Sequence, residues 1–437
     1  MYLYQDLLKR AESDTPVRVA LIGAGKFGTM FLSQAPTTPG LTVTAIVDLD
    51  PERARAACRS VNWSEERIAA THISDDAEKT LQRDDIDVVI EATGLPAIGI
   101  RHARMAFANG KHIVMVNVEA DVLAGPLLAE EAKSAGVVYS MAYGDQPALI
   151  CEMVEWARSC GFSVVAAGKG TKYLPIYTTS TPDTVWDYYG LTAEQAAAAG
   201  MNSKMFNSFL DGTKSALEMA AVANATGLTP PEDGLLFPPC GTDHLAQILK
   251  PADEGGVLAG KGMVEVVSCL ERDGRPVHND LRWGVYVVFE APNDYAADCF
   301  RQYGMNTDSS GRYAAMYKPF HLIGLEVGYS VLSAAIAGRP TGATRGWNGD
   351  VVAVAKRDLN VGEVLDGEGG ETVGGKVVPS ARSQHENALP IGLAHGLKIK
   401  RAVPAGQTVS WQDVDFDSGD PAIAARKDME NRFGPGA

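Results

Sequence analysis

Long apolar runs are missing from this sequence; none approaches the roughly 20 residues needed to cross a bilayer. The opening Met1–Pro16 carries Gln5, Asp6, Lys9, Arg10, Glu12 and Asp14, so it lacks the apolar centre of a secretory signal. Both absences predict a soluble, cytoplasmic protein with no membrane partner. Cysteine is scarce and scattered. The six residues Cys58, Cys151, Cys160, Cys240, Cys269 and Cys299 include no C-x-x-C pair, which argues against a disulfide framework or structural zinc and predicts buried free thiols. The eight histidines show no H-E-x-x-H pattern and no clustering with acids, so no resident metal site is expected. Positive charge is in deficit. With 39 Lys and Arg against 54 Asp and Glu, the formal net charge of −15 repels a phosphate backbone and predicts no nucleic-acid partner.

What is present is the composition of a globular protein: 437 residues, 46% hydrophobic, enough for two or three domains. From Val17 to about Ala142, short β-branched runs alternate with helical stretches, the rhythm of βαβ units on a parallel sheet. The strands read as Val17–Ile22, Val43–Val47, Val88–Glu91, His112–Val116 and Val137–Ser140. Residues 1–150 are thereby expected to form a doubly wound Rossmann domain. Gly23-Ala24-Gly25-Lys26-Phe27-Gly28 follows the first strand and precedes a helix, the context that gives G-x-G-x-x-G its mechanism. Gly23 permits the tight turn, Gly25 lets a pyrophosphate approach the backbone, and Gly28 lets helix and strand pack closely. The anion then sits at the helix N-terminus.

Asp48 ends the second strand, where such folds place the acid that binds the two adenosine ribose hydroxyls. Asp50 precedes Pro51 and reads instead as a helix cap, with Arg53 and Arg55 on that helix's exposed face. Ligands of doubly wound sheets bind outside the carboxyl ends of the strands. Ala92-Thr93-Gly94 and Asn117 are therefore expected at the nicotinamide, with Glu119 an acid candidate facing it.

Residues 151–342 change texture and read as an α+β substrate and oligomerisation domain, with a mixed sheet that includes Trp283–Glu290. Hydride transfer to a carbonyl needs a cation or proton donor at the oxygen. Lys169, between two glycines after a strand Phe162–Ala166, is the first candidate. In the helix expected over Met205–Ala225, Lys214 and Glu218 lie four apart on one face, a surface pair or an acid/base couple, with Asp211 just before them. His321, with Lys318, begins an apolar helix Val327–Ala337 expected to return to the first domain; these two are candidates to bind an anionic group.

After a linker at Thr341–Gly349, residues 350–416 read as a small β-rich module with a weak internal repeat. Arg357, Leu359, Gly362 and Leu365 recur in spacing as Arg401, Val403, Gly406 and Val409, which predicts two pseudo-symmetric halves.

Together, Gly23–Thr29, Glu91–Pro96, Asn109–Asp121, Ala167–Gly170, Asp211–Met219 and Asn224–Leu228 resemble the homoserine-dehydrogenase-like oxidoreductases that carry a C-terminal SAF (antifreeze-like) domain. One branch of that family is the type II 1-deoxy-D-xylulose 5-phosphate reductoisomerase. The resemblance spans nearly the whole chain, and it implies an NAD(P)-dependent oxidoreductase and a catalytic role for Lys214. Homoserine dehydrogenases place a lysine shortly after the fifth-strand Asn, where this chain has Val118 and Glu119. The reductoisomerase branch is expected to use NADPH, whereas Asp48 favours NAD. The expected protein is thus a homo-oligomeric (dimeric or tetrameric) dehydrogenase or reductase that prefers NAD and acts on a small hydroxylated, anionic substrate. A divalent metal is required if the substrate is an α-hydroxyketone. A nucleotide sensor without chemistry is the reading from another class.

Overall fold

The β-branched runs of the first part of the chain pair as one parallel six-stranded sheet: β1 Val17–Ile22, β2 Leu41–Val47, β3 His72–Ser74, β4 Val88–Glu91, β5 His112–Met115 and β6 Tyr139–Met141. Their order is β3-β2-β1-β4-β5-β6, so the winding reverses between β1 and β4, where a dinucleotide crevice opens. The computed structural model describes residues 3–434. β2 begins two residues before the expected start, and β6 lies at Tyr139–Met141 in place of Val137–Ser140. The edge strand β3 was not anticipated; three half-buried residues are too few to display a period-2 pattern.

Two compact units are resolved. The first runs through Glu152 and includes His321–Arg345; the second is Met153–Phe320 with the chain from Gly346 onward. The returning segment earns its place in the first unit by burial: Val327, Val331 and Leu332 join the cluster formed by Val17, Val19, Leu21 and Phe31. The expected helix there is a short α-helix, Gly328–Leu332, followed by a π turn, Ser333–Ala337. The presumed linker is packed as well. Thr344 is buried and donates to Asp121 at 3.0 Å, and Met141 N donates to Gly342 O at 2.7 Å.

In the second unit a mixed four-stranded sheet runs β10-β9-β7-β8, with β7 Ser163–Thr171, β8 Met263–Ser268, β9 Val285–Glu290 and β10 Tyr313–Lys318. The long helix expected over Met205–Ala225 is two helices, Ser203–Leu210 and Thr213–Thr226. Gly212 takes φ 92° between them, a left-handed conformation that ends one and starts the other.

The module after the linker packs within this same unit and is not a third compact body. β11 Gly349–Ala355 and β12 Val373–Pro379 pair antiparallel. The two repeat halves face one another: Leu359 and Val403 exchange backbone hydrogen bonds of 2.9 and 3.0 Å. Gly362 and Gly406, the equivalent glycines, both adopt positive φ (95° and 80°). The repeat signal in the sequence is therefore a pair of equivalent turns. Of the six cysteines, Cys58, Cys240 and Cys269 are buried; Cys160 is exposed and does not fit the expectation of burial. Among the described residues no helix is long and apolar enough to cross a membrane.

Candidate cofactor and catalytic sites

Gly23 turns the chain at the end of β1 with φ 97°, and a Cβ there would lie 2.6 Å from Ala92 O. A Cβ on Gly28 would meet Gly23 O at 2.3 Å, so this glycine sets how closely helix Lys26–Gln34 approaches β1. Gly25, the residue that caps this helix, has open space where a Cβ would stand. A pyrophosphate can reach the helix N-terminus across it, with Lys26 and Phe27 in the first turn. The residues thus fit a dinucleotide.

Asp48 is buried at the end of β2, and its carboxylate is largely committed. It accepts Ala24 N at 2.9 Å, Asp50 N at 3.0 Å and the Arg53 guanidinium at 2.6 Å. A carboxylate has about four acceptor sites, so one remains for a ribose hydroxyl while Arg53 stays in place. This contact leaves room for one ribose hydroxyl where two were expected; Arg53 is exposed, as the sequence indicated, and reaches back to Asp48. Asp50 is the cap that the sequence indicated, accepting Glu52 N and Arg53 N.

At the end of β4, Gly94 has φ 71° and open space beside it, and Ala92 lies against Gly23. Thr93 turns inward and donates to Glu91 Oε1 at 2.5 Å, which also receives His102 Nδ1 at 3.2 Å. Glu91 is completely buried, and its Oε2 has no partner among the described residues. Sequence reasoning missed this pair; the signal was an acid closing an otherwise apolar strand. Asn117 is a helix cap. Its Oδ1 accepts Ala120 N at 3.0 Å and its amide donates to Leu95 O at 2.9 Å, so its oxygen and one of its two amide hydrogens shape the helix start and the β4 loop. Glu119 is buried in the first turn of helix Val118–Ser134, one step beyond the strand end where it was expected. Asp121, on the same helix, is pushed up to about 6 by full burial, with Tyr139 and Thr344 hydroxyls opposing the shift.

In the second unit Lys169 does not occupy a turn. β7 continues through it to Thr171 because its flanking glycines serve close packing: a Cβ on Gly168 would lie 1.7 Å from Glu265 O, and one on Gly170 1.9 Å from Leu281 O. Lys169 is buried and ion-pairs with Glu218, which is also buried. Glu218 thus turns to a lysine 49 positions away in sequence; Lys214, a turn earlier on the same helix, is half-buried. On β8, opposite Gly168, the Glu265 carboxylate accepts Leu236 N, Phe237 N and Val266 N, while full burial pushes it up to about 7.

Asp211 is corrected from catalytic candidate to structural tie. Its carboxylate accepts Thr213 N at 2.9 Å and the Lys356 ammonium at 2.5 Å; Lys356 also donates to Ser180 O and Gly370 O, each at 2.8 Å. All three lysine donors are satisfied, and the repeat module is held to the helix Thr213–Thr226. His321 is half-buried and belongs to the first unit; Lys318, over the Phe320 ring at 5.3 Å, belongs to the second. Among the described residues no group of three or more His, Cys, Asp or Glu side chains is gathered to hold a metal.

Comparison with known proteins agrees with this division of labour. Residues 17–143 match the oxidoreductase family with an NAD-binding Rossmann fold, residues 144–327 the catalytic domain of oxidoreductase DRL, and residues 350–415 the SAF domain. Similar curated proteins are a glycosyl hydrolase family 109 protein of Streptomyces coelicolor (40% identical over 101 residues, 23% of this chain and 21% of the relative) and one of Saccharopolyspora erythraea (33% over 107 residues, 23% and 22%). The chain therefore spans about a fifth of the length of these relatives. Among solved structures, a homoserine dehydrogenase from Thiobacillus denitrificans is 19% identical, covering 49% of each chain with a TM-score of 0.37. The myo-inositol dehydrogenase from Lactobacillus casei is 19% identical over 39% of this chain and 50% of its own, with a TM-score of 0.30. The chain thus combines a segment that matches an NAD-binding Rossmann domain, one that matches an oxidoreductase catalytic domain and a SAF domain.

Proposed function

We propose that the protein is a dehydrogenase or reductase that prefers NAD(H) and acts on a small hydroxylated, anionic carbonyl or alcohol. The observation that carries this reading is the buried Lys169–Glu218 pair in the domain that matches an oxidoreductase catalytic domain. A buried ion pair is an expensive way to stabilise a fold, and a positioned ammonium is what a developing alkoxide needs. The bound dinucleotide supplies or accepts the hydride. Lys169 donates a hydrogen bond and then a proton to the substrate oxygen in reduction, and takes it back in oxidation. Glu218, its ion-pair partner, keeps Lys169 aimed. Lys214 is the second cation proposed for the substrate, with Glu119 and His321 the remaining acid and anion-binding candidates. Glu91, Thr93 and Asn117 shape the crevice where the dinucleotide lies. The assembly proposed is a homo-oligomer.

A second reading is favoured by two observations, the match to the DRL catalytic domain and Arg53 beside Asp48: a type II 1-deoxy-D-xylulose 5-phosphate reductoisomerase using NADPH. Purified protein given a panel of small hydroxy acids, polyols and their oxidised forms is expected to turn over at least one member with NAD(H). Little turnover is expected with 1-deoxy-D-xylulose 5-phosphate, divalent metal and NADPH. Robust NADPH oxidation in that assay reverses the order of the two readings, and inactivity across the whole panel and the phosphate substrate defeats both.

A further inference from the structure

The carboxyl end of β7 carries a second group of cations that the catalytic pair does not use. The chain leaves β7 at Lys172, three residues after Lys169. Gly170 N donates to Gly284 O at 3.0 Å and Cys269 N to Thr171 O at 2.8 Å, which gathers residues 170–172, 269 and 281–284 at one place. A Cβ on Gly170 would lie 3.0 Å from Arg282 N, so the glycine lets the Arg282 segment approach this closely.

Here Lys172 is half-buried, donates to Tyr188 O and sits 5.1 Å from the centre of the Tyr189 ring. Arg282, also half-buried, lies 4.7 Å over the Trp283 ring. Among the described residues no carboxylate forms an ion pair with either cation. The nearby acid Asp280 spends one oxygen on Arg282 N at 2.8 Å. Burial and the Arg282 charge both hold Lys172 below the ordinary lysine range. Burial raises the hydroxyls of Tyr177 and Tyr189, and the Arg282 charge offsets part of that rise. Two like charges that feel each other, half out of water and without a counter-ion, are unfavourable in a protein of net charge −15 unless an anion completes them.

We propose that Lys172 and Arg282, with the hydroxyls of Tyr177 and Tyr189, form a binding site for a dianionic phosphoryl-type group. An ammonium and a guanidinium match its charge of about −1.5 to −2 near neutral pH, and the phenols add donors to its several oxygens. The site names the anionic end of the substrate and in that respect rests on the proposed function. It also lies at the same end of β7 as Lys169, so a phosphorylated substrate held here presents its remaining carbons toward that end of the strand.

The test uses inorganic phosphate as probe, without nicotinamide, so that it is independent of turnover. Calorimetric titration of the full chain at low ionic strength is expected to show saturable binding that weakens with salt. Lys172→Gln and Arg282→Gln are each expected to weaken it roughly tenfold or more, while NADH affinity is unchanged. Acetate, a monoanion, is expected to bind at least about tenfold more weakly than phosphate, each lost charge-assisted contact being of that size. No saturable phosphate binding by the unmodified chain, equal binding of acetate, or undiminished binding by either folded variant overturns the site. If one variant does not fold, the other decides. Phosphate binding in a protein that turns over no substrate upholds this site and defeats the proposed reaction; turnover without phosphate binding does the reverse.

Discussion

Replacing Lys169 by Met is expected to lower kcat by about a hundredfold or more, the range for losing a positioned proton donor, while NADH affinity stays at the wild-type value. Lys169 is buried on β7 with Glu218 as its ion-pair partner, and the cofactor fingerprint is built from β1 and β2. The substitution also strands the Glu218 charge, which in a buried pair costs about 3–5 kcal/mol. The double variant Lys169→Met/Glu218→Gln removes that penalty and is expected to recover stability without recovering rate. Glu218→Gln alone is expected to lower kcat as well, because it removes the carboxylate that positions Lys169. Wild-type turnover by a folded Lys169→Met protein, measured at saturating cofactor, contradicts the assignment.

Arg426→Met is expected to destabilise the second unit by about 3–5 kcal/mol, as removal of one partner of a buried ion pair does. Arg426 and Asp350 are both fully buried, and the guanidinium grips the carboxylate with two nitrogens. Its third nitrogen reaches Glu430 at 2.8 Å, its plane covers the Trp347 ring at 4.7 Å, and Ser383 adds a hydroxyl to Asp350. One side chain thus joins the C-terminal helix Pro421–Phe433 to β11. Denaturant unfolding followed by tryptophan fluorescence measures the loss, and the double variant Arg426→Met/Asp350→Leu is expected to regain part of it. A single variant within about 1 kcal/mol of wild type, the scale of an exposed pair, contradicts the buried-staple account.

The elements that proved legible in the sequence were those whose cause is local. Gly23 to Gly28 and the strand before them need only neighbouring residues to be recognised, and Asp50 capped its helix because Pro51 follows it. The repeat after residue 350 was visible because equivalent glycines serve equivalent turns. What escaped depends on distant partners. Lys169 read as lying past the end of a strand because two glycines flank it, yet those glycines let β7 continue and lie against the backbones of Glu265 and Leu281. Lys214 and Glu218 read as a couple through their spacing, while Glu218 was drawn to Lys169 by the packing of its helix on the sheet. Asp211 read as an acid near the chemistry because Lys356, the cation that claims it, is 145 positions away. Asn117 was placed correctly at a strand end, but the helix that begins there took its side chain.

Cofactor choice joins the two kinds of inference. A 2′-phosphate beside the buried Asp48 meets a like charge worth several kcal/mol, and Arg53 at 2.6 Å cancels part of it. The remaining difference is expected to leave at least about tenfold discrimination, or 1.4 kcal/mol. Calorimetric titration of the unmodified protein with NADH and with NADPH measures it directly. The account predicts that both bind at one site per chain, NADH at least about tenfold more tightly, with Asp48→Ser narrowing the gap. Tighter binding of NADPH contradicts the assigned role of Asp48, and binding of neither contradicts the nicotinamide site itself.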